Sequence, residues 1–497
     1  MQEQEISQPA LFELRDLSLV YRARPAISAI NWRVCAGEQW ACLGPNAAGK
    51  TSLARVLSGE AQHFSGELLR ADSLRQQGIA YVCFEQARAL CERDRKRDDS
   101  EFRADASDPG TTVEQLILGG RPPDAEFHQW VDRLDLARVL QRGLRRISTG
   151  EMRKTLLAAA VLQRPALLIL DNPLDGLDIA MQAEMRAIIA QLLVSGPNLL
   201  LLCRQMEDVP QQVSHVLVLA EGRVLRAGPR AEVLADRAVH RLLMPEMPAL
   251  GELPPPAPRA YTLPEAAPLL EMRDVSVSYA DVHVLKRVNW TLPRGRHCCV
   301  SGPNGCGKTT LLSLITGDNH KAYGQGITLF GLRRGSGESV WDIKQKFGQV
   351  DTQLQLGFAR GMSVLEVVVS GFFDSIGLYD HWGDTQRERA LQWLAALGLS
   401  GHRKQGFDAL SFGLQRMVLL ARAMVKSPAI LLLDEPTLGL DGFHRRLILR
   451  AIDHIADNSD TQIIFVSHSP GERPRCINQL LRFEAQADGF AVICENL

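Results

Sequence analysis

The stretch Gly302-Pro303-Asn304-Gly305-Cys306-Gly307-Lys308-Thr309-Thr310 decides the fold of this chain. It fits the phosphate-binding loop G-x-x-x-x-G-K-[ST] at every defined position. An apolar run precedes it and a leucine-rich stretch follows, which predicts a strand, a tight loop and a helix. The glycines would let backbone N–H groups turn toward polyphosphate. Lys308 would reach the β- and γ-phosphates of a nucleotide, and the Thr309 hydroxyl would ligate Mg²⁺.

Composition fits a globular chain of two domains. Its 497 residues exceed the size at which one hydrophobic core stops growing. Lys plus Arg total 56 against 57 for Asp plus Glu, which argues against a general affinity for nucleic acid or acidic lipid. No signal peptide and no apolar run of about 18 residues is recognisable, so we expect a cytoplasmic chain whose membrane role, if any, comes through a partner. The ten cysteines form no C-x-x-C pair, so reduced thiols are expected rather than a zinc or iron–sulfur site.

The chain repeats itself once. A second phosphate loop follows an apolar run in the first half and comprises Gly44, Pro45, Asn46, Ala47, Ala48, Gly49, Lys50, Thr51 and Ser52. Farther along, two matching apolar runs end in Asp171-Asn172-Pro173 and Asp434-Glu435-Pro436. Each run predicts a buried parallel strand whose aspartate emerges beside the phosphate loop. There Asp171 with Thr51, and Asp434 with Thr309, could hold Mg²⁺, although an aspartate at this place could also merely cap the next helix.

Between loop and aspartate, each half carries a serine–glycine turn, Ser148 with Gly150 and Ser411 with Gly413. The turns resemble the signature of the ATP-binding cassette (ABC) superfamily, Gly176-Leu177-Asp178 and Gly439-Leu440-Asp441 resemble its D-loop, and Tyr21 and Tyr279 its adenine-stacking aromatic. The resemblance implies an α/β P-loop NTPase fold with two tandem ABC nucleotide-binding domains, each with a parallel-sheet core and a helical subdomain. It also implies ATP and Mg²⁺ as ligands. We assign the domains to residues 9–244 and 269–497, joined by 245–268.

Two irregular segments stand out. The segment 245–268 includes Pro254-Pro255-Pro256-Ala257-Pro258 and predicts an extended spacer long enough to let the halves meet. The stretch from Glu92 to Asp108 is dense in both charge signs and predicts a mobile, solvated insertion. Acidic residues interrupt its basic runs, which argues against a nucleic-acid tail.

In the ABC superfamily the cassettes pair head to tail, which implies two composite sites within this one chain. The second-half site combines Lys308, Glu435 and His468 with Ser148 and Gly150 from the first half, and by resemblance Glu435 acts on the attacking water while His468 contacts the γ-phosphate. The first-half site combines Lys50 with Ser411 and Gly413. There Asn172 replaces the glutamate and Arg204 the histidine, so we expect nucleotide binding with poor turnover. Ala47 replaces a loop glycine, so the sequence alone does not decide whether the backbone of that loop keeps the same geometry.

Two smaller assignments complete the site. Gln86 and Gln353 are the nearest candidates for the superfamily's Gln-loop, although neither fits the usual pattern. Cys306 lies among the loop amides near Lys308, surroundings that predict a reactive thiolate.

A closer resemblance lies in two stretches, 329–344 and 370–377, which look like the tandem ModF (photorepair-type) family associated with molybdate transport. It implies an ATPase that docks on a separate permease, peripheral to the cytoplasmic face of the inner membrane. The alternative is a soluble tandem ABC ATPase acting on ribosomes or nucleic acid. The short proline-rich linker, the amide at Asn172 and the lack of zinc clusters or long coiled coils favour the transporter.

Overall fold

The protein is described by a computed structural model over residues 9–21, 24–96, 110–259, 261–263, 267–279, 282–358, 361–378, 381–467, 472–486 and 489–497. It divides into two compact units, residues 1–246 and 247–497. The division falls near the start of the predicted linker. The assignment of domains to 9–244 and 269–497 stays a prediction.

The described part of the first unit contains two sheets and the helices that connect their strands. Its strands are β1 Ala10–Tyr21, β2 Arg24–Cys35, β3 Trp40–Leu43, β4 Ser65–Arg70, β5 Ile79–Val82, β6 Leu167–Asp171, β7 Asn198–Cys203, β8 His215–Ala220 and β9 Arg223–Pro229. Its α-helices are α1 Lys50–Ser58, α2 Asp72–Gln77, α3 Phe84–Lys96, α4 Val113–Leu118, α5 Ala125–Arg133, α6 Thr149–Val161, α7 Ile179–Ser195, α8 Arg230–Ala235 and α9 Arg237–Leu243.

The second unit repeats most of this order. Its strands, within the residues described, are β10 Leu270–Tyr279, β11 Val282–Leu292, β12 Cys298–Ser301, β13 Gly326–Leu329, β14 Leu332–Arg333, β15 Phe347–Val350, β16 Ile430–Asp434, β17 Gln462–Ser467, β18 Gln479–Gln486 and β19 Gly489–Asn496. Its α-helices are α10 Lys308–Thr316, α11 Val340–Lys344, α12 Thr352–Gly357, α13 Val364–Val369, α14 Asp384–Ala396, α15 Phe412–Met424 and α16 Gly442–Asn458.

The larger sheet of the first unit has the strand order β5-β6-β7-β3-β8-β9 in its described part. All neighbours are parallel except β8 and β9. Leu43 at the end of β3 lies opposite Cys203, and Asp171 at the end of β6 lies opposite Leu202. The phosphate loop, the aspartate and the residue after β7 therefore leave the sheet at one edge.

The second unit has the same arrangement, with the order β15-β16-β17-β12-β18-β19 among its described strands. Ser301 before the phosphate loop lies opposite Ser467, and Asp434 lies opposite Val466. Each unit also has an antiparallel sheet, β2-β1-β4 in the first and β11-β10-β13-β14 in the second. The predicted α/β fold with two tandem parallel-sheet domains is confirmed.

The central strands are buried on both faces, which explains their unbroken apolar runs. In β16, Leu431 and Leu433 pack into one hydrophobic cluster, while Ile430 and Leu432 pack into the cluster on the other face. Helices α3 to α6 lie between β5 and β6 in the chain, and α12 to α15 between β15 and β16. These helices are the candidates for the predicted helical subdomains.

The proline-rich segment packs on the second unit instead of standing free as a spacer. Met247, Leu250 and Leu253 contact the hydrophobic cluster of that unit. Gly251 donates its N–H to the carbonyl oxygen of Ala396 at 2.9 Å. Because these contacts bind both side chains and backbone, residues 247–253 cannot act as freely extended chain without first breaking them.

Polar contacts hold the rest of the segment. Arg259 forms a two-pronged ion pair with Asp460, with distances of 2.6 and 2.7 Å. Arg389 donates to the carbonyl oxygen of Pro255 at 2.7 Å, and Ala257 donates its N–H to the Ser427 hydroxyl at 2.9 Å. Residues 247–259 thus pack on the second unit, a contact that proline content does not reveal, and their role as a spacer between the halves stays a prediction.

The charged stretch from Glu92 to Asp108 lies partly within helix α3. Asp94 is buried and accepts hydrogen bonds from the backbone N–H and the hydroxyl of Thr111. Asp94 is therefore not solvated, because Thr111 binds its carboxylate, whereas Glu92, Arg93, Arg95 and Lys96 are exposed. Residues 97–109 lie outside the described part. No helix within the described residues has the length and apolar character needed to cross a membrane.

Candidate functional site

The phosphate loop of the second unit joins β12 to α10. Helix α10 begins at Lys308, directly after Gly307 with a φ of 105°. A Cβ on Gly302 would lie 2.6 Å from the Cβ of Phe483, so the loop passes too close to β18 for any side chain there. Lys308 is buried, and its ammonium donates to the carbonyl oxygens of Gly302 and Pro303 at 2.8 and 2.9 Å. Carbonyl oxygens of the loop thus hold the Lys308 ammonium within the loop, at the N-terminus of helix α10.

Asp434 ends β16 among other charges. Burial raises its pKa, and the neighbouring carboxylates of Glu435 and Asp351 add to this, giving a value of about 6. Lys308 and Arg416 act in the opposite direction. Within the described residues, no hydrogen-bond donor reaches the Asp434 oxygens. A hard divalent cation, which prefers oxygen ligands, would fit this carboxylate.

The residue after each aspartate adopts a left-handed backbone. Glu435 has a φ of 48° and Asn172 a φ of 47°, a region that is uncommon outside glycine. The Glu435 N–H donates to Val466 at 3.1 Å, and the Asn172 N–H donates to Leu202 at 3.0 Å. The two turns are therefore the same, and only the side chain differs between a carboxylate and an amide.

The first-unit phosphate loop keeps the backbone of the second. Lys50 is buried and donates to the carbonyl oxygens of Gly44 and Pro45 at 2.6 and 2.9 Å. Ala47 has a φ of 63°, where Gly305 in the second unit has a φ of 79°. The alanine therefore preserves the shape of the loop, at the cost of holding a Cβ in a region that L-residues avoid.

Asp171 differs from Asp434 because three side chains of its own unit donate hydrogen bonds to its carboxylate. Thr51 and Tyr81 donate hydroxyl hydrogens to its Oδ2 at 2.8 and 3.0 Å. The Asn172 amide donates to its Oδ1. Tyr81 is a residue that the sequence analysis missed. Strand register offers a signal for it, because β5 runs beside β6 and places Tyr81 opposite Ile169, near Asp171.

Arg204 follows β7 at the position that corresponds to His468. Its guanidinium pairs with Asp175, a second residue that sequence reasoning missed. Burial raises the pKa of Asp175, and the nearby charges of Arg204 and Arg153 oppose that rise. Arg153 also donates to the backbone carbonyl of Asn172 at 3.0 Å. In the first unit, Asn172 therefore stands in place of the glutamate and Arg204 in place of the histidine, and Arg204 is held in a cluster with Asp175 and Arg153.

The signature turn of the first unit begins helix α6. The Ser148 hydroxyl accepts the Glu151 N–H at 3.2 Å, and the Glu151 carboxylate accepts the Ser148 N–H at 2.7 Å. This reciprocal pair is a capping box, which fixes the start of the helix. Gly150 is buried, and a Cβ there would lie 2.7 Å from the terminal methyl of Met181.

The second signature turn is packed more tightly. Ser411 caps helix α15 by accepting the Leu414 N–H at 3.3 Å. A Cβ on Gly413 would lie 2.2 Å from the ring of His444. The His444 Nδ1 lies 2.8 Å from the Asp441 carboxylate, so the D-loop holds this ring in place. The structure thus joins the signature turn and the D-loop of the second unit through one histidine.

The two candidate adenine-stacking tyrosines are accessible at the ends of β1 and β10. Tyr21 is 43% exposed and Tyr279 is 42% exposed, so each ring offers a face to a ligand. The Tyr279 hydroxyl accepts a hydrogen bond from Asn319 at 2.8 Å, and the Lys321 ammonium lies 5.1 Å from the ring centre. Stacking on adenine stays a prediction for both.

Cys306 does not have the reactive thiolate that its neighbours in sequence predict. The side chain is 1% exposed and packs into the hydrophobic cluster that contains Val300. Burial raises the pKa of its thiol despite the opposing charge of Lys308. Ala48 occupies the same place in the first loop and is also buried. The prediction is wrong because the side chain points under the loop, away from the phosphate side.

Neither Gln-loop candidate lies beside a metal-site aspartate. Gln86 accepts the Cys83 N–H at 3.3 Å, and Gln353 is exposed on helix α12. The place next to Asp434 belongs to Asp351, which acts on it electrostatically. His468 follows Ser467 at the end of β17 but lies outside the described residues. The roles of all the candidate site residues stay predictions.

Comparison with known proteins identifies relatives of both halves. A family described as ABC transporter matches residues 27–175 and 285–438. The Escherichia coli protein named ABC transporter ATP-binding protein ModF is 38% identical over 90% of this chain and 91% of its own. An uncharacterized ABC transporter ATP-binding protein of Schizosaccharomyces pombe is 26% identical over 92% and 94%. A solved structure of archaeal ribosome recycling factor aABCE1, with ribosomal stalk protein aP1, shares the fold with a TM-score of 0.60 at 16% identity, covering 97% of this chain and 90% of that one.

Proposed function

The chain belongs to the ABC transporter family and carries two of its ATP-hydrolysing domains in tandem, and we propose that it drives a transport system from one active and one degenerate ATP site. The observation that carries the proposal is the contrast at the two sheet edges. Glu435 offers a carboxylate beside Asp434, whereas Asn172 offers only an amide beside Asp171.

The second-half site has the groups that hydrolysis needs. Lys308 and the loop amides would bind the β- and γ-phosphates of ATP. Glu435 would orient the attacking water and accept its proton, and His468 would contact the γ-phosphate. Thr309 and Asp434 would hold Mg²⁺, which would neutralise part of the phosphate charge. The carboxylates of Glu435 and Asp351, which act on Asp434, support this metal assignment.

The first-half site would bind ATP without turning it over efficiently. Its loop retains the buried lysine and the backbone curvature of the second loop. The Asn172 amide cannot take a proton from water. Arg204 stays protonated and is paired with Asp175, so it cannot act as a neutral base in place of the histidine. We propose that this site stores nucleotide while the other site cycles.

We further propose that the two cassettes pair within one chain when ATP binds. Each phosphate loop would then receive the signature turn of the other half, Gly150 for Lys308 and Gly413 for Lys50. Small-angle scattering of the Glu435→Gln variant would test this proposal. ATP should lower the radius of gyration without changing the mass. A mass that doubles as protein concentration rises would instead mean pairing between chains.

A separate permease is the proposed partner, and a molybdate-related substrate follows only from resemblance to the ModF family. The name of the Escherichia coli relative supports a transport role. Crosslinking in cells, followed by purification from membranes, should recover a membrane protein bound to this chain. Recovery of ribosomes in the soluble fraction instead would favour the alternative of a ribosome-acting ABC ATPase.

The proposal of one active site is tested by steady-state ATPase rates. Glu435→Gln should lower turnover by about 10²–10⁴-fold, the usual contribution of a general base, while ATP binding persists. Asn172→Gln is the matched control at the same backbone position and should leave the rate within about twofold, because no proton acceptor is lost. Equal losses in the two variants would contradict the asymmetric assignment.

A further inference from the structure

The hydrogen bonds around the two metal-site aspartates differ in kind. Three side chains of the first unit donate to Asp171: Thr51, Tyr81 and Asn172. A carboxylate has about four lone-pair positions, so most of its accepting capacity is filled from within the protein. Among the described residues, none fills the corresponding positions on Asp434.

Two of the three donors, Tyr81 and Asn172, have counterparts of a different chemical type in the second unit, whereas Thr51 corresponds to Thr309. Asn172 corresponds to Glu435, which is an acceptor. Tyr81 lies opposite Ile169, and Gln349 lies opposite Leu432, so strand register makes Tyr81 and Gln349 equivalent.

The charged groups around Asp171 also supply more positive charge than those around Asp434. In the first unit the buried cations Lys50, Arg153 and Arg204 act on one another and on two carboxylates, Asp171 and Asp175. Asp208 also acts on Asp175 but has its own partner in Arg186, at 2.8 Å. These five interacting groups carry one net positive charge.

The second unit has the opposite balance. Two cations, Lys308 and Arg416, act on Asp434, together with the carboxylates of Glu435 and Asp351. These five described groups carry one net negative charge. The two sites therefore differ by two positive charges, which equals the charge of one Mg²⁺ ion.

We propose that the first-half site binds nucleotide with little need for a divalent cation, because its arginines and hydrogen-bond donors already supply the positive charge and the partners of Asp171. The second-half site lacks both and requires the metal. The inference rests on the proposed function, since it concerns the metal requirement of one of the two proposed ATP sites. It also means that Thr51 and Asp171 fit Mg²⁺ less well than Thr309 and Asp434 do.

Binding measurements on single-site chains test the inference. Lys308→Ala would leave only the first-half site, and Lys50→Ala only the second-half site. Calorimetric titration with a non-hydrolysable ATP analogue is then compared in magnesium and in EDTA. Removing magnesium should weaken binding less than about threefold in the Lys308→Ala chain and at least about tenfold in the Lys50→Ala chain, because the metal supplies charge only in the latter.

Manganese provides a second readout that does not depend on turnover. With saturating analogue, electron paramagnetic resonance should count one tightly bound Mn²⁺ per wild-type chain. The Lys50→Ala chain should keep this ion and the Lys308→Ala chain should lose it. Two equally tight ions per wild-type chain would overturn the inference.

A residue swap assigns the effect to the named side chains. In the Lys308→Ala chain, Tyr81→Phe with Asn172→Glu should create a dependence on magnesium of about fivefold or more. The two substitutions remove two hydrogen bonds to Asp171, and the net contribution of one hydrogen bond alone corresponds to about that factor. In the Lys50→Ala chain, Gln349→Tyr with Glu435→Asn should reduce the dependence. Tyr81→Phe alone keeps the ring and serves as the conservative variant if the double substitution fails to fold.

The outcomes separate this inference from the proposed function. Magnesium-dependent binding in the Lys308→Ala chain would overturn the inference and leave a first-half ATP site in place. Absence of binding in either buffer would overturn both. A folded swap variant that remains independent of magnesium would refute the roles of Tyr81 and Asn172.

Discussion

Replacing Gly413 by alanine should destabilise the second unit, whereas the same change at Gly150 should change the stability of the first unit much less. The new Cβ at 413 would lie 2.2 Å from Cγ and 2.3 Å from Cδ2 of His444, far inside ordinary contact distance. The ring cannot simply turn away, because its Nδ1 is held 2.8 Å from the Asp441 carboxylate. At 150 the nearest atom is the end of the flexible Met181 side chain, 2.7 Å away.

The magnitude follows from three contributions. Overpacking of this kind costs about 1–3 kcal/mol, and a lost hydrogen bond to Asp441 costs about 0.5–1.5 kcal/mol more. Replacing glycine by alanine in a helix returns up to about 1 kcal/mol. The net loss for Gly413→Ala is therefore about 0.5–4.5 kcal/mol, or roughly 1–18 °C in the melting temperature of a unit of this size. Gly150→Ala should shift its own unit by less than about 1 kcal/mol.

Differential scanning calorimetry measures both variants, with each transition assigned by comparison with the wild-type chain. In the double variant Gly413→Ala with His444→Ala, the loss should be smaller than the sum of the single losses, because the clash is gone. Equal shifts for Gly413→Ala and Gly150→Ala would refute the reasoning. Full additivity in the double variant would show that His444 is not the obstacle.

Three further predictions concern the phosphate loops, the buried thiol and the proline-rich segment. Ala47→Gly should stabilise the first unit by about 1 kcal/mol because it relieves a positive φ, and Gly305→Ala should destabilise the second by a similar amount, measured by the same calorimetry. Cys306→Ala should retain ATPase activity. In the wild-type chain, maleimide should label the exposed Cys494 long before Cys306, as followed by mass spectrometry. Rapid labelling of Cys306 would contradict its burial. Arg259→Ala should increase limited proteolysis within 247–259 without lowering turnover, whereas an unchanged cleavage pattern would show that the Asp460 ion pair does not hold this segment.

The parts of the fold that the sequence predicts correctly are those with local signals. The apolar runs before each phosphate loop and each metal-site aspartate become parallel strands, because long runs without polar alternation suit strands buried on both faces. The proline-rich segment could not be placed in the same way. Its main anchor, Arg259 with Asp460, joins residues about two hundred positions apart, and composition carries no sign of that contact.

In the candidate site, too, the residues within motifs were predicted and those that act through contacts distant in sequence were not. Motif spacing places Lys308, Asp434 and Glu435 at one sheet edge, and strand register agrees with that placement. Tyr81 and Asp175 escaped attention because they act through neighbours in space and belong to no short motif. Cys306 was misjudged for a related reason, since closeness in sequence to Lys308 does not fix the direction in which its side chain points.

The central claim is that only the second-half site hydrolyses ATP, and a rapid-quench single-turnover experiment tests it most directly. The wild-type chain is mixed rapidly with magnesium and a concentration of labelled ATP that saturates both sites, unlabelled ATP is then added in excess, and the labelled ADP formed per chain is counted over time. The account predicts a fast phase that ends at one ADP per chain, with the second ATP intact over that period. Two ADP per chain formed at a single rate would contradict it.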